Sequence, residues 1–282
     1  MTTTFLGVDS GYPAARVVIL PAPYDATTTY MPGARFGPRA ILQASQELEL
    51  YDREFGCDVW ESIGIHTAED AAIWDSTEKM IAEVESRADQ VLAAGKMPFM
   101  LGGDHSLTLG AVRATASRHP DLQVVQFDAH ADLREEYRGN RFSHACVARR
   151  MQELIPVLQA GVRSLCQEEA DFIRQSSRVV TGFREDLSHP GWWRDQVSAL
   201  RGRPVYLTID VDVLDPSVMP ATGTPEPGGI DWMELVSLIR TLSLECRIVG
   251  ADCMELSPLA GVHAPDFAAA KLVYKTIALA CR

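Results

Sequence analysis

Apolar residues along this chain fall into short continuous runs, not into an alternating in-and-out pattern, and each run stops at a polar or glycine-rich turn. Residues 16–20, 97–101, 122–127, 159–165, 179–180, 205–209 and 247–253 have this character, which predicts strands buried on both faces. Between them lie stretches with helical spacing. Residues 69–94 carry Ile73, Met80, Ile81, Val84 and Val91 on such a repeat, broken near Asp75 and Ser76 by a cap and stopped at Gly95. Helices are also predicted over residues 38–44, with Pro38 in the first turn, and over 107–117, 145–158, 168–174, 192–200, 231–242 (capped by Asp231) and 264–280. Strands alternate with helices and no linker or repeat intervenes. The expectation is one α/β domain over residues 1–282, a three-layer α-β-α sandwich around a mainly parallel sheet.

The chemistry gathers where the runs stop. His105 follows residues 97–101, Asp128, His130 and Asp132 follow 122–127, Asp210 and Asp212 follow 205–209, and Glu255 follows 247–253. In an open parallel sheet that edge is where ligands bind. The densest segment, residues 124–132, reads Val-Val-Gln-Phe-Asp-Ala-His-Ala-Asp. In an extended chain alternate residues share a side and i to i+2 spans roughly 6–7 Å, so its three polar heads are expected to face one point. A lone aspartate there is an ordinary solvated turn residue, but several charges at strand ends cost energy unless they bind something.

Two imidazoles and four carboxylates, with no thiolate, are too many donors for one catalytic ion and suit two ions sharing carboxylates. So oxygen-rich a set favours Mn²⁺ or Mg²⁺, and the histidines tilt it to Mn²⁺. Two ions about 3.5–4 Å apart bring a shared water toward pKa ~7, which predicts hydrolysis by hydroxide at neutral pH.

Composition narrows the partners. Of 282 residues 46% are hydrophobic, enough for a substantial core, and the net charge is −12 with no Lys/Arg-rich run. That gives no footprint for nucleic acid or for an anionic membrane and suits a cationic substrate. With no leader-like start and no apolar stretch of about 18 residues, a soluble cytoplasmic protein is expected. The six cysteines form no CxxC pair and read as reduced, mostly buried packing residues, with a catalytic thiol at Cys146 near His144 as the lesser alternative. His66, His119, His189 and His263 read as structural or surface residues. The segment 223–229 lacks the Lys-Ser/Thr of a phosphate loop and reads as a rigid turn at the pocket floor.

Three segments together resemble the signatures of the arginase/agmatinase ureohydrolases: Leu-Gly-Gly-Asp-His-Ser-Leu-Thr-Leu-Gly at 101–110, the segment 124–132, and Thr-Ile-Asp-Val-Asp at 208–212 with Pro216, Pro220 and Gly229 downstream. With the loop 32–38 and Glu255, the resemblance covers the chain from about residue 17 to its end. It implies two Mn²⁺ per subunit, one on His105, Asp128, Asp132 and Asp210, the other on His130, Asp128, Asp210 and Asp212, with Asp128 and Asp210 bridging. It implies that His144 shuttles the proton and that Glu255 holds the guanidinium group, although Ala145 stands where many relatives carry glycine. Asp132 is a second candidate proton acceptor. Relatives of this kind form homotrimers or homohexamers, the assembly expected here.

The loop 133–144, Leu-Arg-Glu-Glu-Tyr-Arg-Gly-Asn-Arg-Phe-Ser-His, lacks the Ser-Gly-Asn-x-His-Gly ending of arginases and resembles the bacterial and archaeal agmatinase branch. The substrate so implied is a small cationic guanidine, agmatine, cleaved to putrescine and urea, a polyamine-forming reaction. Glu135 and Glu136 are candidates for the far cation of agmatine, or else an exposed pair held by Arg134 and Arg138. The alternatives are another guanidino or formimino substrate, such as guanidinobutyrate, formiminoglutamate, arginine or guanidine, or a non-catalytic scaffold of the same fold.

Overall fold

A computed structural model describes residues 3–189 and 191–282. In chain order the elements are β1 Val17–Ala22, α1 Gly37–Ser45, β2 Tyr51–Asp52, β3 Cys57–Asp58, α2 Val59–Ile63, β4 Ile65–Thr67, α3 Thr77–Ala93, β5 Met97–Gly102, α4 Thr108–Arg118 and β6 Gln123–Phe127. They continue as α5 Val147–Leu154, β7 Val157–Val162, α6 Gln167–Gln175, β8 Val179–Phe183, α7 Arg184–Leu187, α8 Trp192–Ala199, β9 Pro204–Asp210, α9 Trp232–Glu245, β10 Arg247–Met254 and α10 Ala264–Ala280.

Eight strands form one sheet in the order β4-β1-β5-β10-β9-β6-β7-β8, and every neighbouring pair is parallel. Both faces are covered, as the continuous apolar runs require. Val17, Ile19, Phe99, Val125, Leu207 and Ile209 point into a core shared with α1, α9 and α10, while Val18, Leu20, Met100, Val124 and Tyr206 point into a second core with α3, α4 and α5. Each wholly buried Val, Leu, Ile or Phe contributes ~1.5–3 kcal/mol, so two full cores can hold a cluster of charge in place at one edge.

Several boundaries differ from expectation for local reasons. The first strand runs through Pro21 to Ala22, because β4 pairs only as far as Ile19 and the missing proline N–H faces no ladder. The helix expected from residue 69 starts at Thr77, since the Ser76 side chain accepts from Lys79 N and caps it there. Ile73, expected on its apolar face, is 68% exposed. The helix expected over 145–158 stops at Leu154: Ile155 precedes Pro156, is extended (φ −142°), and leaves Val157 and Leu158 to open β7. The edge strand β4, the β2–β3 pair and the short helices α2 and α7 are additional to the predicted elements. Among the described residues no helix is long and apolar enough to cross a membrane.

Candidate metal centre

Strand register sets the site. Phe127 on β6 lies level with Ile209 on β9, so Asp128 and Asp210, one residue further on each strand, emerge side by side. Met254 on β10 is level with Asp210, which puts Glu255 next, and Leu101 on β5 is level with Cys253. The same local turn follows twice. Asp128 Oδ1 accepts from His130 N (2.6 Å) and Asp210 Oδ1 accepts from Asp212 N (2.9 Å), a turn that aspartate favours through this contact. The three heads of 128–132 therefore converge differently from the extended comb: the strand ends at Phe127, and Asp132 reaches inward by a left-handed backbone (φ 52°).

Two groups of donors result, sharing Asp128. His105, Asp128 and Asp132 form one and Asp128, His130 and Asp212 the other, the atoms of each within 4.8 Å of one another. His105 Nδ1 lies 3.2 Å from Asp128 Oδ2, 3.2 Å from Asp210 Oδ2 and 3.5 Å from Asp132 Oδ2. His130 Nδ1 lies 2.9 Å from Asp212 Oδ2 and 3.7 Å from Asp128 Oδ1. All six predicted ligands thus meet at one place.

The electrostatics fit a pair of divalent cations. His105 Nδ1 is buried without a hydrogen-bond partner, an orphan among carboxylates. Burial raises Asp132 and Asp210 well above the usual carboxylate range, reinforced by Asp128 and, for Asp210, by Asp212. Burial works to lower both imidazoles, yet the charge of Asp212, Asp128 and Asp132 holds His130 up at about 11, and the close carboxylates of Asp128 and Asp210 raise His105. The bare protein thus traps protons where a metal would displace them, and four carboxylate charges match two doubly charged ions.

Outer contacts that pattern reading missed aim these groups. Thr181 Oγ1 donates to Gln159 Oε1 (2.8 Å), Gln159 Nε2 to Gln126 Oε1 (3.1 Å), and Gln126 Nε2 to Asp128 Oδ2 (2.7 Å), an amide ladder across β8, β7 and β6. His105 Nε2 meets Thr208 Oγ1 at 2.9 Å; Thr108 lies 3.4 Å further on and donates to Asp252 Oδ2 (2.9 Å). Arg163 spends its guanidinium on five carbonyls, those of Gly161, Asp212, Val213, Glu226 and Pro227, and so ties the loop 215–229 to the site. That loop lines the cavity through Gly223 and Thr224. A polar residue inside a buried strand, as at Gln126, Gln159 and Thr208, was the one readable signal.

Glu255 and His144 line the same cavity. Glu255 has a left-handed backbone (φ 65°), and its Oε1 accepts from His105 N (2.7 Å). Burial, then Asp104, pushes its carboxyl up to about 8. For His144, burial and the nearby His130 and His105 outweigh Asp104 and lower the imidazole below 6.5. A second cavity of about 220 Å³ continues outward past His130, Asp132 and His144 to Arg134, Tyr137 and Glu169.

Glu135 and Glu136 are not in it. Glu135 pairs with Arg141 (2.5 Å), Arg149 (3.1 Å) and Arg150 (3.0 Å) rather than with Arg134 and Arg138, because α5 brings its arginines back over the loop, and Glu136 is exposed. Cys146 is fully buried, and burial raises its thiol to about 12, so it is a packing residue as expected.

Residues 15–278 match the arginase family. The chain belongs to the arginase family. It is 40% identical to the N(1)-aminopropylagmatine ureohydrolase of Synechocystis sp. over 94% of this chain and 89% of that one. It is also 40% identical to the agmatinase of Pyrococcus horikoshii, over 95% and 93%. The crystal structure of the agmatine ureohydrolase of Thermoplasma volcanium superposes with a TM-score of 0.88 at 34% identity, covering 99% of this chain and 94% of that one. The protein is thus an arginase-family hydrolase, similar both to agmatinases and to N(1)-aminopropylagmatine ureohydrolases.

Proposed function

We propose that this enzyme hydrolyses a linear guanidine carrying a second cation at its far end, agmatine in the first place, to urea and putrescine. The observation that carries the reading is Glu255. Its carboxylate is buried, lines the cavity beside the candidate ligands, and accepts one backbone amide at Oε1, with no hydrogen bond to Oε2 among the described residues. A carboxyl group pushed up to about 8 by burial regains its charge when a cation docks against it, and a planar guanidinium offers paired N–H donors to such a group.

His105, Asp128, Asp132 and Asp210 would hold one Mn²⁺ and His130, Asp128, Asp210 and Asp212 the other. When bound, such a pair supplies Lewis-acid activation of water at neutral pH. The protein's own groups do the rest. Glu255 orients the guanidinium; Asp132 takes a proton from the attacking water as its oxygen adds to the guanidinium carbon. His144 takes up at Nε2 the proton that Asp132 removed and delivers it to the alkyl nitrogen as the bond from that carbon breaks, and the product urea releases its remaining proton to solvent. In the outer cavity Glu169 is buried and accepts from Leu133 N (2.9 Å) and Cys166 N (2.7 Å), leaving lone pairs for a distal ammonium.

A second reading, a guanidine with a terminal carboxylate such as guanidinobutyrate, rests on Arg134, which lines the same cavity. Against it, Arg134 lies 4.0 Å from Glu169 and 4.9 Å above the Tyr137 ring, so its charge is already engaged. Urea release from manganese-loaded protein separates the readings, with agmatine, N(1)-aminopropylagmatine, arginine, guanidinobutyrate and guanidine offered in parallel and formiminoglutamate followed by formamide. Preference for agmatine is expected. Preference for the aminopropyl compound, the substrate in the name of the Synechocystis relative, lengthens the tail and keeps the diamine reading; preference for guanidinobutyrate overturns it.

A further inference from the structure

His144 is gripped by a residue with no assigned role. Thr27, in the segment after β1, is buried, and its hydroxyl lies 2.8 Å from Asp104 Oδ1 and 2.7 Å from Asp104 Oδ2. The same oxygen lies 2.9 Å from His144 N and 3.1 Å from His144 Nδ1. Asp104 is wholly buried and pinned by Thr27 N (2.8 Å) and Ser106 N (3.1 Å). Gly103 makes the approach possible, because a Cβ there would overlap the Tyr24 carbonyl oxygen, whose partner is Asp104 N (2.7 Å).

The proton positions follow from valence. A carboxylate only accepts, so the single Thr27 hydroxyl proton is committed to Asp104. The Thr27 oxygen then faces His144 with lone pairs, one taken by His144 N–H. An unprotonated Nδ1 at 3.1 Å would oppose lone pair to lone pair, so Nδ1 carries the proton and the free nitrogen is Nε2. Ser143 Oγ, at 3.3 Å from Nδ1, is the competing partner, longer and able to donate as well as accept.

We propose that Thr27, seated on Asp104, is the positioning residue that fixes His144 as its Nδ1–H tautomer and turns Nε2 toward the reacting atoms. The inference builds on the proton-transfer role of His144 given above; the chain Asp104–Thr27–His144 then orients the ring and supports its cationic form without touching substrate.

The test compares Thr27→Val, which keeps the shape and removes the hydroxyl, with Thr27→Ser, which restores it. Nitrogen-15 spectra of metal-free protein at pH 8, with the His144 signals assigned by their loss in His144→Gln, report the tautomer independently of any substrate. The expected results are an Nδ1–H ring in wild type and Thr27→Ser and loss of that pattern in Thr27→Val. In manganese-loaded enzyme Thr27→Val is expected to lose roughly 10–100-fold in kcat with KM and metal content held, and Thr27→Ser to recover most of it. An Nε2–H ring in wild type overturns the proposal even if Thr27→Val does not fold. So does a Thr27→Val protein with unchanged tautomer and kcat, or a Thr27→Ser protein as impaired as Thr27→Val. An Nδ1–H ring in a protein that releases no urea from any guanidine would uphold the tautomer and defeat the function proposed above, so the two fail separately.

Discussion

His105 and His144 line one cavity, both tied to a threonine hydroxyl in a network that ends on a buried aspartate, yet they are driven in opposite directions. The difference lies in the ring nitrogen left over. His105 gives Nε2 to Thr208 and turns Nδ1 on three carboxylates, which hold it protonated until a metal replaces the proton. His144 gives Nδ1 to Thr27, and no carboxylate lies within ion-pair distance of its ring among the described residues. Burial therefore lowers it. Similar scaffolding aims one imidazole at the carboxylates, as a candidate ligand, and leaves the other away from them and lowered by burial, so the separate roles proposed for the two rest on what faces each free nitrogen.

The comparison breaks most visibly at the metal side. Asp128→Asn removes the carboxylate common to both donor groups, and activity and metal content should fall together, beyond the roughly 10–100-fold that loss of an outer-shell partner brings. Full metal by elemental analysis in that variant would count against a shared bridging ligand. On the other side, His144→Ala should keep its metal and lose on the order of 10²–10⁴ in kcat, the usual worth of a positioned acid or base. If metal were lost there as well, the two histidines would not be functionally separate.

Thr208→Val tests the ligand-side grip and should show the opposite split to Thr27→Val. Without the hydroxyl at 2.9 Å the His105 ring loses its orientation, so manganese affinity measured by calorimetry should drop roughly 10–100-fold while kcat at saturating metal is nearly kept. A kcat loss at saturating metal would show that Thr208 serves more than ligand placement.

The strand ends could be read in advance because apolar runs that stop on charged residues have few other uses, and parallel register then brings Asp128 and Asp210 to one level with Glu255 one residue beyond. The grips could not. Thr27 lies 77 residues from Asp104 and 117 from His144, and it is one of three consecutive threonines that nothing local distinguishes. Only the folded chain shows that Thr27 turns inward while Thr28 and Thr29 stay half-buried. Gln126, Gln159 and Thr208 were visible as polar residues in buried strands, but their partners lie on neighbouring strands. The pairing of Glu135 was misjudged for a related reason: sequence proximity favoured Arg134 and Arg138, whereas one turn of α5 delivers Arg149 and Arg150.

The finest test of the contrast counts protons. A metal must displace the protons that His105 and His130 hold in the bare protein, since His130 sits at about 11 and the carboxylates around His105 raise it well above an ordinary imidazole. Apparent manganese affinity should therefore rise with pH from 6 toward 9, about tenfold per pH unit for each proton released, because higher pH lowers the cost of deprotonating the ligands. His144, lowered below 6.5, is already neutral at pH 8 and has no proton to give up. Calorimetry of manganese binding at pH 8 in buffers of different ionisation enthalpy yields the number released. His130→Ala should reduce it by about one, and His144→Ala should leave it unchanged. A smaller count in His144→Ala would mean that this ring, too, is held protonated by the carboxylates, and the distinction between the two histidines would be lost.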